Sequence, residues 1–257
     1  MRTLQSKFIS SIFALFFLST LAAQDNDRFQ AYHVHEDRVK PSMVLEYEKT
    51  AKALADAMRE NDIQGYGWLT TSTDDFRYLS VTPIANMAQL DGNPFAALSD
   101  KIGNEAASAL FAPFNKCYDQ HGDYVIFMDK ELTYMPDGIT QTPDGENFRK
   151  FYYVYVSPGN VGAMNDAFKK VKQMFADKGS KSYYRVYRSG FGNMDSYFMV
   201  AVAAKNPVDM EQRGAANDEL LGPDAQAVFG NLMSKAIKFE EITGMIRPEL
   251  GYTPKSN

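Results

Sequence analysis

Two copies of one short pattern constrain the fold of this chain more than any other feature. The segments 131–136 (ELTYMP) and 249–254 (ELGYTP) agree at four of six positions and lie 118 residues apart. Earlier in each half, the run Val39-Lys40-Pro41 faces Val156-Ser157-Pro158 at an offset of 117 residues. Similarity at a nearly fixed period is the signature of repeated structural units. The sequence therefore predicts a tandem duplication.

A turn-rich stretch marks the join between the predicted units. Residues 135–147 read MPDGITQTPDGEN and contain two Pro-Asp-Gly turns, which is typical of a loop. We therefore place repeat 1 at 28–136, a linker at 137–147 and repeat 2 at 148–257.

Each predicted repeat begins with a strand that leads into a long amphipathic helix. In repeat 2, FYYVYV (151–156) is rich in aromatic and β-branched residues, which favour a strand, and Ser157-Pro158 is typical of a helix start. Apolar residues then recur three and four apart, which predicts one buried helix stripe. These residues are Val161, Met164, Phe168, Val171 and Phe175 in repeat 2, and Val44, Tyr47, Ala51, Leu54 and Met58 in repeat 1.

The remaining segments complete the same order in both halves. A hairpin is predicted at 66–71 and 77–82, and again at 183–188 and 197–203. A second helical region follows at 94–118 and at 207–238, and a final strand is expected to carry each Glu-Leu-x-Tyr-x-Pro ending. The order β-α-β-β-α-β is the ferredoxin-like, or split βαβ, arrangement.

A single unit of this kind covers only one face of its sheet, so the bare face needs a partner. Two copies in one chain can supply that partner, either by packing sheet against sheet or by closing an eight-stranded barrel. We therefore predict an α+β fold in which two tandem ferredoxin-like repeats form a barrel-like pseudo-dimer within the chain. A homodimer, with barrels closed between chains, is the alternative.

This duplicated unit, with its long helix after Val-x-Pro and its aromatic strands, resembles the dimeric α+β barrel superfamily. That superfamily includes antibiotic-biosynthesis-monooxygenase-like and NIPSNAP-like proteins. The resemblance covers nearly the whole chain beyond residue 23 and rests on element order and the repeat. It implies an activity among cofactor-independent oxygenases, haem-degrading enzymes, haem peroxidases or proteins without known chemistry. The residues themselves indicate no cofactor, so haem enters only through the resemblance.

The first 23 residues are typical of a secretory signal peptide. Arg2 and Lys7 precede an apolar run from Phe8 to Leu21, and the small residues Ala22 and Ala23 follow. The run is short for a membrane-spanning helix of about 20 residues, so no retained transmembrane anchor is expected. Export to the periplasm or the extracellular space follows. The remaining chain has 25 basic and 32 acidic residues, which disfavours nucleic-acid binding because phosphate contacts require clustered Lys and Arg.

The segment HVHED (33–37) contains the strongest candidates in the sequence for catalytic or metal-binding side chains. Alternation along a strand places His33, His35 and Asp37 on one face, with Val34 and Glu36 on the other. A metallo-hydrolase needs further histidines downstream, and the chain has three in all, so no metal site is assigned. The segment is interpreted as a partly solvated strand. The alternatives are a pocket corner with His35 as base or ligand, and a simple transition-metal site.

Aromatic side chains and one arginine indicate where a ligand would bind. The predicted pocket residues are Tyr66, Trp68, Tyr78, Tyr183, Arg185 and Tyr197, although core packing is the favoured interpretation of these residues, above all of the recurring tyrosines. The single cysteine, Cys117, is interpreted as a small buried hydrophobe. His121 lies four residues away in the sequence, but this spacing alone does not indicate a catalytic Cys–His dyad.

The function predicted from the sequence is binding of a small apolar or aromatic ligand, or of a protein partner, by an exported protein. Whether the chain is an enzyme stays open. The alternative is an oxygenase-like enzyme, cofactor-independent or haem-linked, with His35 or His121 as base or axial ligand. A purely architectural role of the duplication within a larger envelope assembly is the third hypothesis.

Overall fold

A computed structural model describes residues 28–255 of the chain. The predicted signal peptide, residues 1–23, lies outside these residues, so its prediction stands on the sequence alone. Within 28–255, no helix combines the length and the apolar character needed to cross a membrane.

Eight strands form the sheet of the described chain. They are β1 (Phe29–Val39), β2 (Leu69–Thr73), β3 (Arg77–Ile84), β4 (Tyr118–Asp129), β5 (Phe148–Val156), β6 (Tyr184–Ser189), β7 (Tyr197–Ala204) and β8 (Ala236–Ile246). Six α-helices lie between them. They are α1 (Val44–Glu60), α2 (Ala96–Ile102), α3 (Asn104–Phe111), α4 (Val161–Asp177), α5 (Pro207–Leu221) and α6 (Asp224–Met233).

The strands close into one barrel in the order β1-β3-β2-β8-β5-β7-β6-β4. Every neighbouring pair is antiparallel. Because the barrel is closed, β4 also lies beside β1. Strands β1 to β4 of the first half are therefore contiguous, as are β5 to β8 of the second half, and the two groups meet at the pairs β2–β8 and β4–β6. The predicted α+β class is thus confirmed as a closed antiparallel barrel, and both sets of strands come from one chain.

Apolar side chains form three layers, one inside the barrel and two outside it under the long helices. The interior holds residues from both halves, such as Tyr32, Val34 and Met199. Outside it, α1 covers the first half with Tyr47, Leu54 and Met58 buried. The other long helix, α4, covers the second half with its own buried stripe. The predicted helix faces are therefore confirmed, because spacing of three and four residues puts those side chains on the sheet side.

Several predicted boundaries are wrong by a few residues. Each Pro of the Val-x-Pro pattern opens a short 3₁₀ turn, and the α-helices begin three residues later at Val44 and Val161. The second strand begins at Leu69 instead of Tyr66, and Trp68 just before it forms an isolated bridge with Tyr252.

The two Glu-Leu-x-Tyr-x-Pro endings do not belong to the final strands, which is a correction to the prediction. Strands β4 and β8 end at Asp129 and Ile246, before the endings begin. Each ending instead crosses to the other half. Tyr134 pairs with Tyr184, and Tyr252 pairs with Trp68. The tyrosine hydroxyls then donate to Ser180 O (3.0 Å) and Ile63 O (2.5 Å). The repeated tyrosines therefore fasten the halves to each other.

Residues 130–147, which include the predicted linker, contain no named helix or strand and cover one end of the barrel. The Gln141 side chain bonds to the hydroxyls of Tyr32 and Tyr187. The carbonyl groups of Thr140 and Gln141 accept hydrogen bonds from the buried Arg185 and Arg149. This stretch satisfies polar groups that the barrel end would otherwise leave buried without partners.

Candidate functional site

A cavity of about 330 Å³ lies between the outer face of the first-half sheet and its helices. We call it the first-half cavity. Strand β1 supplies one wall, and helices α1 and α3 with the segment before α2 supply the cover. Its lining residues are His33, His35, Asp37, Tyr47, Ala51, Leu54, Tyr66, Trp68, Thr70, Ser80, Pro94, Phe95, Phe111, Phe114, Tyr118, His121, Asp123 and Leu250.

The polar wall of this cavity is a grid of two histidines and two aspartates on adjacent strands. His35 and Asp37 are two residues apart on β1, so they share a face. Strand β4 runs antiparallel beside β1, and its register places Asp123 opposite His35 and His121 opposite Asp37. Directly opposed residues on one face are close enough to interact. Each histidine therefore has an aspartate beside it along the strand and across it.

Asp123 joins the two histidines of β1. Its Oδ1 atom lies 3.0 Å from His35 Nδ1 and 2.9 Å from His33 Nε2. Burial disfavours the charge on this carboxyl, but the two histidines outweigh burial and hold the pKa of Asp123 below its ordinary value. The histidines thus bond to neighbouring polar groups, as the interpretation of HVHED as a partly solvated strand requires.

Asp37 is the buried member of the grid and is 5% exposed. Its Oδ2 atom accepts a hydrogen bond of 2.7 Å from the Tyr47 hydroxyl on α1. Its Oδ1 atom lies 3.2 Å from His35 Nε2 and forms an ion pair with it. Apart from this ion pair, Oδ1 has no hydrogen-bond donor among the described residues.

The charge state of His35 follows from these neighbours. The Asp37 carboxylate raises the pKa of His35 to about 9 against the opposing effect of burial, and Asp123 adds to the rise. His35 is therefore an imidazolium at neutral pH in the protein without ligands, with both nitrogens facing carboxylates. Such a group does not accept a proton from a substrate, so the geometry disfavours the predicted role of His35 as a base.

His121 completes the polar wall from the exposed rim. Its ring lies 5.6 Å from the His35 ring and 5.2 Å from the Tyr118 ring, measured between centroids. One donor atom each from His35, Asp37 and His121 all lie within 4.8 Å of one another. Sequence reasoning considered His121 only beside Cys117 or as a base or haem ligand, and it did not group these three residues.

The opposite wall is aromatic. The Trp68 ring lies 5.8 Å from Tyr66 and 6.0 Å from Phe95, and Phe95 lies 4.9 Å from Phe111. Trp68 Nε1 donates to the carbonyl of Leu250 at 3.0 Å, which fixes the indole. Rings in such an arrangement bind flat apolar molecules by stacking and edge contacts. An open cleft of about 780 Å³ adjoins this wall and shares His33, Tyr66 and Asp123 with the cavity.

The structure brings five of the predicted site residues together in the first-half cavity, namely His33, His35, Asp37, Tyr66 and Trp68. The other four lie elsewhere. Tyr78 packs against Tyr47 and donates to Glu48, and the Tyr183 hydroxyl bonds to Asp137 at the surface. Tyr197 lies in the barrel interior and Arg185 at its covered end, on the opposite face of the sheet from the histidines.

Sequence reasoning missed Tyr47, Phe95, Phe111 and Asp123 as cavity residues. Tyr47 was assigned to the buried helix stripe, and only its hydroxyl distinguishes it from a packing residue. Asp123 follows His121 by two residues, and this H-x-D spacing repeats that of His35 and Asp37. The repeated spacing is the signal that could have found it.

Cys117 is fully buried, as predicted, and its thiol donates to the Pro113 carbonyl at 3.3 Å. Burial raises the pKa of the thiol. A protonated buried thiol is a poor nucleophile, so the Cys117–His121 pair gives no support to cysteine chemistry.

The first-half cavity does not fit haem. Both ring nitrogens of His35 face carboxylates, and Asp37 and Asp123 place negative charge where an anionic macrocycle would lie. No Lys or Arg lines the cavity within residues 28–255. No step involving haem follows from this site.

The chain matches no protein-family model, and no curated protein matches its sequence. Solved structures do match its fold. A candidate monooxygenase from Lactobacillus acidophilus is 12% identical with a TM-score of 0.51, over 88% of this chain and 96% of that one. An anthrone oxidase-like protein is 14% identical with a TM-score of 0.52, over 85% and 91%. A mutant chlorite dismutase from Candidatus Nitrospira defluvii is 10% identical with a TM-score of 0.51, over 85% and 92%.

These proteins share the fold of this chain across most of its length. The predicted resemblance is confirmed at that level, since the chain has the dimeric α+β barrel fold. A specific likeness to NIPSNAP proteins stays a prediction.

Proposed function

We propose that this protein binds a small aromatic molecule in the first-half cavity. The observation that carries the proposal is the convergence of the histidine–aspartate wall and the aromatic wall on one enclosed space. Its volume of about 330 Å³ is at the lower end of ligand pockets, which span about 300–1,000 Å³. A flat molecule of two or three rings, with a hydroxyl or carbonyl group facing the polar wall, is complementary to both the polar and the aromatic wall.

Trp68 makes the proposal simple to test, because it is the only tryptophan in the chain and lies in the cavity wall. Anthrone, a flat three-ring ketone, is a suitable probe. Titration should change Trp68 fluorescence saturably, and calorimetry should give the same affinity. An unchanged Trp68 signal together with no binding heat would refute the proposal.

A filling variant locates the binding site. Ala51 lines the cavity from α1, and Ala51→Leu should weaken anthrone binding about tenfold or more, because the added methyl groups occupy ligand space. Ala215→Leu is the matched control, since Ala215 lines a separate cavity of about 530 Å³ over the second half. Equal weakening by both variants would place the ligand elsewhere. Circular dichroism checks that each variant is folded.

Oxygenase-like catalysis is the second candidate function. It is supported by the fold shared with the candidate monooxygenase and the anthrone oxidase-like protein and by the polar cluster beside an aromatic cavity. His35 fits an electrostatic role beside the substrate better than a base role, because both of its ring nitrogens face carboxylates. Oxygen uptake in the presence of anthrone, lost in His35→Ala, is the expected result. Binding without oxygen uptake would leave ligand binding as the function.

We also propose that the two halves are tandem ferredoxin-like repeats. The same strand order within each half and the equivalent contacts of Tyr134 and Tyr252 support a duplication. Superposition of 28–136 on 148–255 tests it, and no match beyond single helices would contradict it.

Export through residues 1–23 is proposed from the sequence pattern of this segment. Amino-terminal sequencing of protein secreted by a bacterial host should find a start at Ala23 or Gln24. A start at Met1 would contradict cleavage.

A further inference from the structure

We infer that His35, Asp37 and His121 bind a divalent first-row transition-metal ion at the polar wall of the first-half cavity. The ion is held by protein donors alone, so the inference concerns the cavity of the proposed function without depending on a ligand there.

The three donors form a set that such ions prefer. Two imidazoles and one carboxylate suit zinc, iron, cobalt and nickel, and a two-histidine, one-carboxylate set leaves coordination positions open for water or a ligand. Donors around four-coordinate zinc, each about 2.1 Å from the metal, lie roughly 3.4 Å apart. His35 Nε2 and Asp37 Oδ1 are already 3.2 Å apart.

The Oδ1 atom of Asp37, which lacks a hydrogen-bond donor among the described residues, is an independent indication of a bound metal ion. Buried carboxylate oxygens are normally satisfied by donors, yet Asp37 Oδ1 has no hydrogen-bond donor among the described residues while Tyr47 holds Oδ2. A metal ion that replaces the Nε2 proton of His35 bonds to both Nε2 and Oδ1, and the proton is released to water. Tyr47 then serves as the outer support that keeps the carboxylate in place.

Asp123 supports the same site by a hydrogen bond to His35 and does not bind the metal itself. Metal-bound histidines usually pass their other ring N–H to a carboxylate, which fixes the tautomer and the ring. Asp123 Oδ1 accepts from His35 Nδ1 at 3.0 Å, which turns Nε2 toward Asp37. His33 bonds to the same oxygen at 2.9 Å and is therefore a neighbour of the site and not one of its metal ligands.

His121 is the mobile member. It is exposed at the rim, whereas Asp37 is buried. The donor atoms lie within 4.8 Å of one another, so a shift of the His121 ring by at most roughly 1.5 Å reaches zinc geometry. Antiparallel pairing places His121 directly opposite Asp37, so a side-chain rotation is sufficient and the strands stay fixed.

The experiment is calorimetric titration of the metal-free protein with ZnCl₂, together with CoCl₂ and visible absorption. One ion per chain should bind, and Co²⁺ should give the visible bands of a four- or five-coordinate site. His121→Ala should lower Zn²⁺ affinity at least about 100-fold, because it removes a direct ligand without touching the core. Asp123→Asn should lower the affinity about 10–100-fold.

His33→Ala is the matched control, because it removes a histidine two residues from His35 that is not a ligand; Zn²⁺ affinity should fall less than about threefold. Affinity retained in His121→Ala, or lost equally in His33→Ala, would overturn the assignment, as would no binding by the wild type. Anthrone binding reported by Trp68 is measured separately. Failure of the metal titration with anthrone binding intact would therefore reject the metal site and leave the proposed function standing.

Discussion

The carboxylate of Asp37 is held from the helix side by Tyr47 and from its own strand by His35. Within residues 28–255, the hydroxyl of Tyr47 is its one hydrogen-bond donor. Burial and the adjacent carboxylate raise the pKa of Tyr47, so the hydroxyl keeps its proton and continues to donate. At the scale of residues, the candidate site therefore depends on a single contact between α1 and β1.

Tyr47→Phe tests this contact. Removal of the hydroxyl leaves both oxygens of a buried carboxylate without a hydrogen-bond donor, and a hydrogen bond to a charged group contributes about 1.5–3 kcal/mol. We expect a loss of that size in the free energy of unfolding, measured with urea. Tyr183→Phe is the control: its hydroxyl bonds at the surface, so the change should stay within about 0.5 kcal/mol. Equal stability of Tyr47→Phe and the wild type would contradict the argument.

Asp129 sets the acid sensitivity of the fold. It is fully buried and accepts hydrogen bonds from Arg28 (2.8 Å) and Arg188 (2.8 Å). Burial favours its neutral form, but Arg28 and Arg188 outweigh burial and hold the pKa of Asp129 below its ordinary value of 3.8. A lowered folded pKa stabilises the protein above the unfolded pKa, and this stabilisation is lost as pH falls through the folded pKa.

The wild type should therefore lose stability below about pH 4, and Asp129→Asn should lose less over the same range. At neutral pH the variant should be less stable by roughly 3 kcal/mol, because the partly buried Arg188 loses its counter-charge and Arg28 retains only Glu131. Thermal unfolding from pH 2 to 7 provides the measurement. Parallel curves for the two proteins would show that Asp129 does not set the acid limit.

At the scale of elements, the two Glu-Leu-x-Tyr-x-Pro endings hold the halves together, because each pairs with the other half. The ending of the second half lies directly on Gly67, where an added Cβ would come 2.6 Å from Tyr252 O and 2.7 Å from Pro254 Cδ. These distances leave no room for a side chain. The backbone pairing of Trp68 with Tyr252, at 2.7 and 2.9 Å, depends on this close approach.

Gly67→Ala should therefore displace the carboxyl-terminal ending, with a cost of about 1–3 kcal/mol and a red shift of Trp68 emission as the indole becomes hydrated. Gly214→Ala is the matched control. Gly214 lies within α5 with nothing near its Cβ position, so alanine should leave stability unchanged or raise it by about 0.5–1 kcal/mol. A stable Gly67→Ala variant with unshifted emission would show that the ending does not seal the cavity.

At the scale of the whole molecule, one barrel uses strands from both halves, so the chain should unfold as a unit. The seams β2–β8 and β4–β6 are part of the continuous ladder, and the interior layer draws on both halves. We expect a single transition, with Trp68 fluorescence in the first half and far-ultraviolet dichroism of all helices changing together. Light scattering should give the mass of one chain. Two separated transitions would contradict the shared core.

The sequence was sufficient for element order and helix faces, because these depend on local spacing. It left open whether the two sheets pack face to face or close a barrel, and whether a barrel closes within one chain or between chains. The strand of HVHED and the shared face of His33, His35 and Asp37 follow from alternation alone. The pairing of Asp123 with His35 and of His121 with Asp37 could not be predicted, since it depends on the register of β4 against β1. Arg185 and Tyr197 were grouped with residues on the opposite face, because alternation along β6 and β7 does not tell which side chains point into the barrel.

A crystal structure of the protein soaked with anthrone tests the central claim most directly, because the barrel also has an open mouth of about 660 Å³ lined by Arg77 and several tyrosines. Electron density for the rings is expected against Trp68 and Phe95, with the carbonyl oxygen toward His121. Density in the barrel mouth, or an unaltered first-half cavity in a crystal whose binding is proven in solution, would contradict the account.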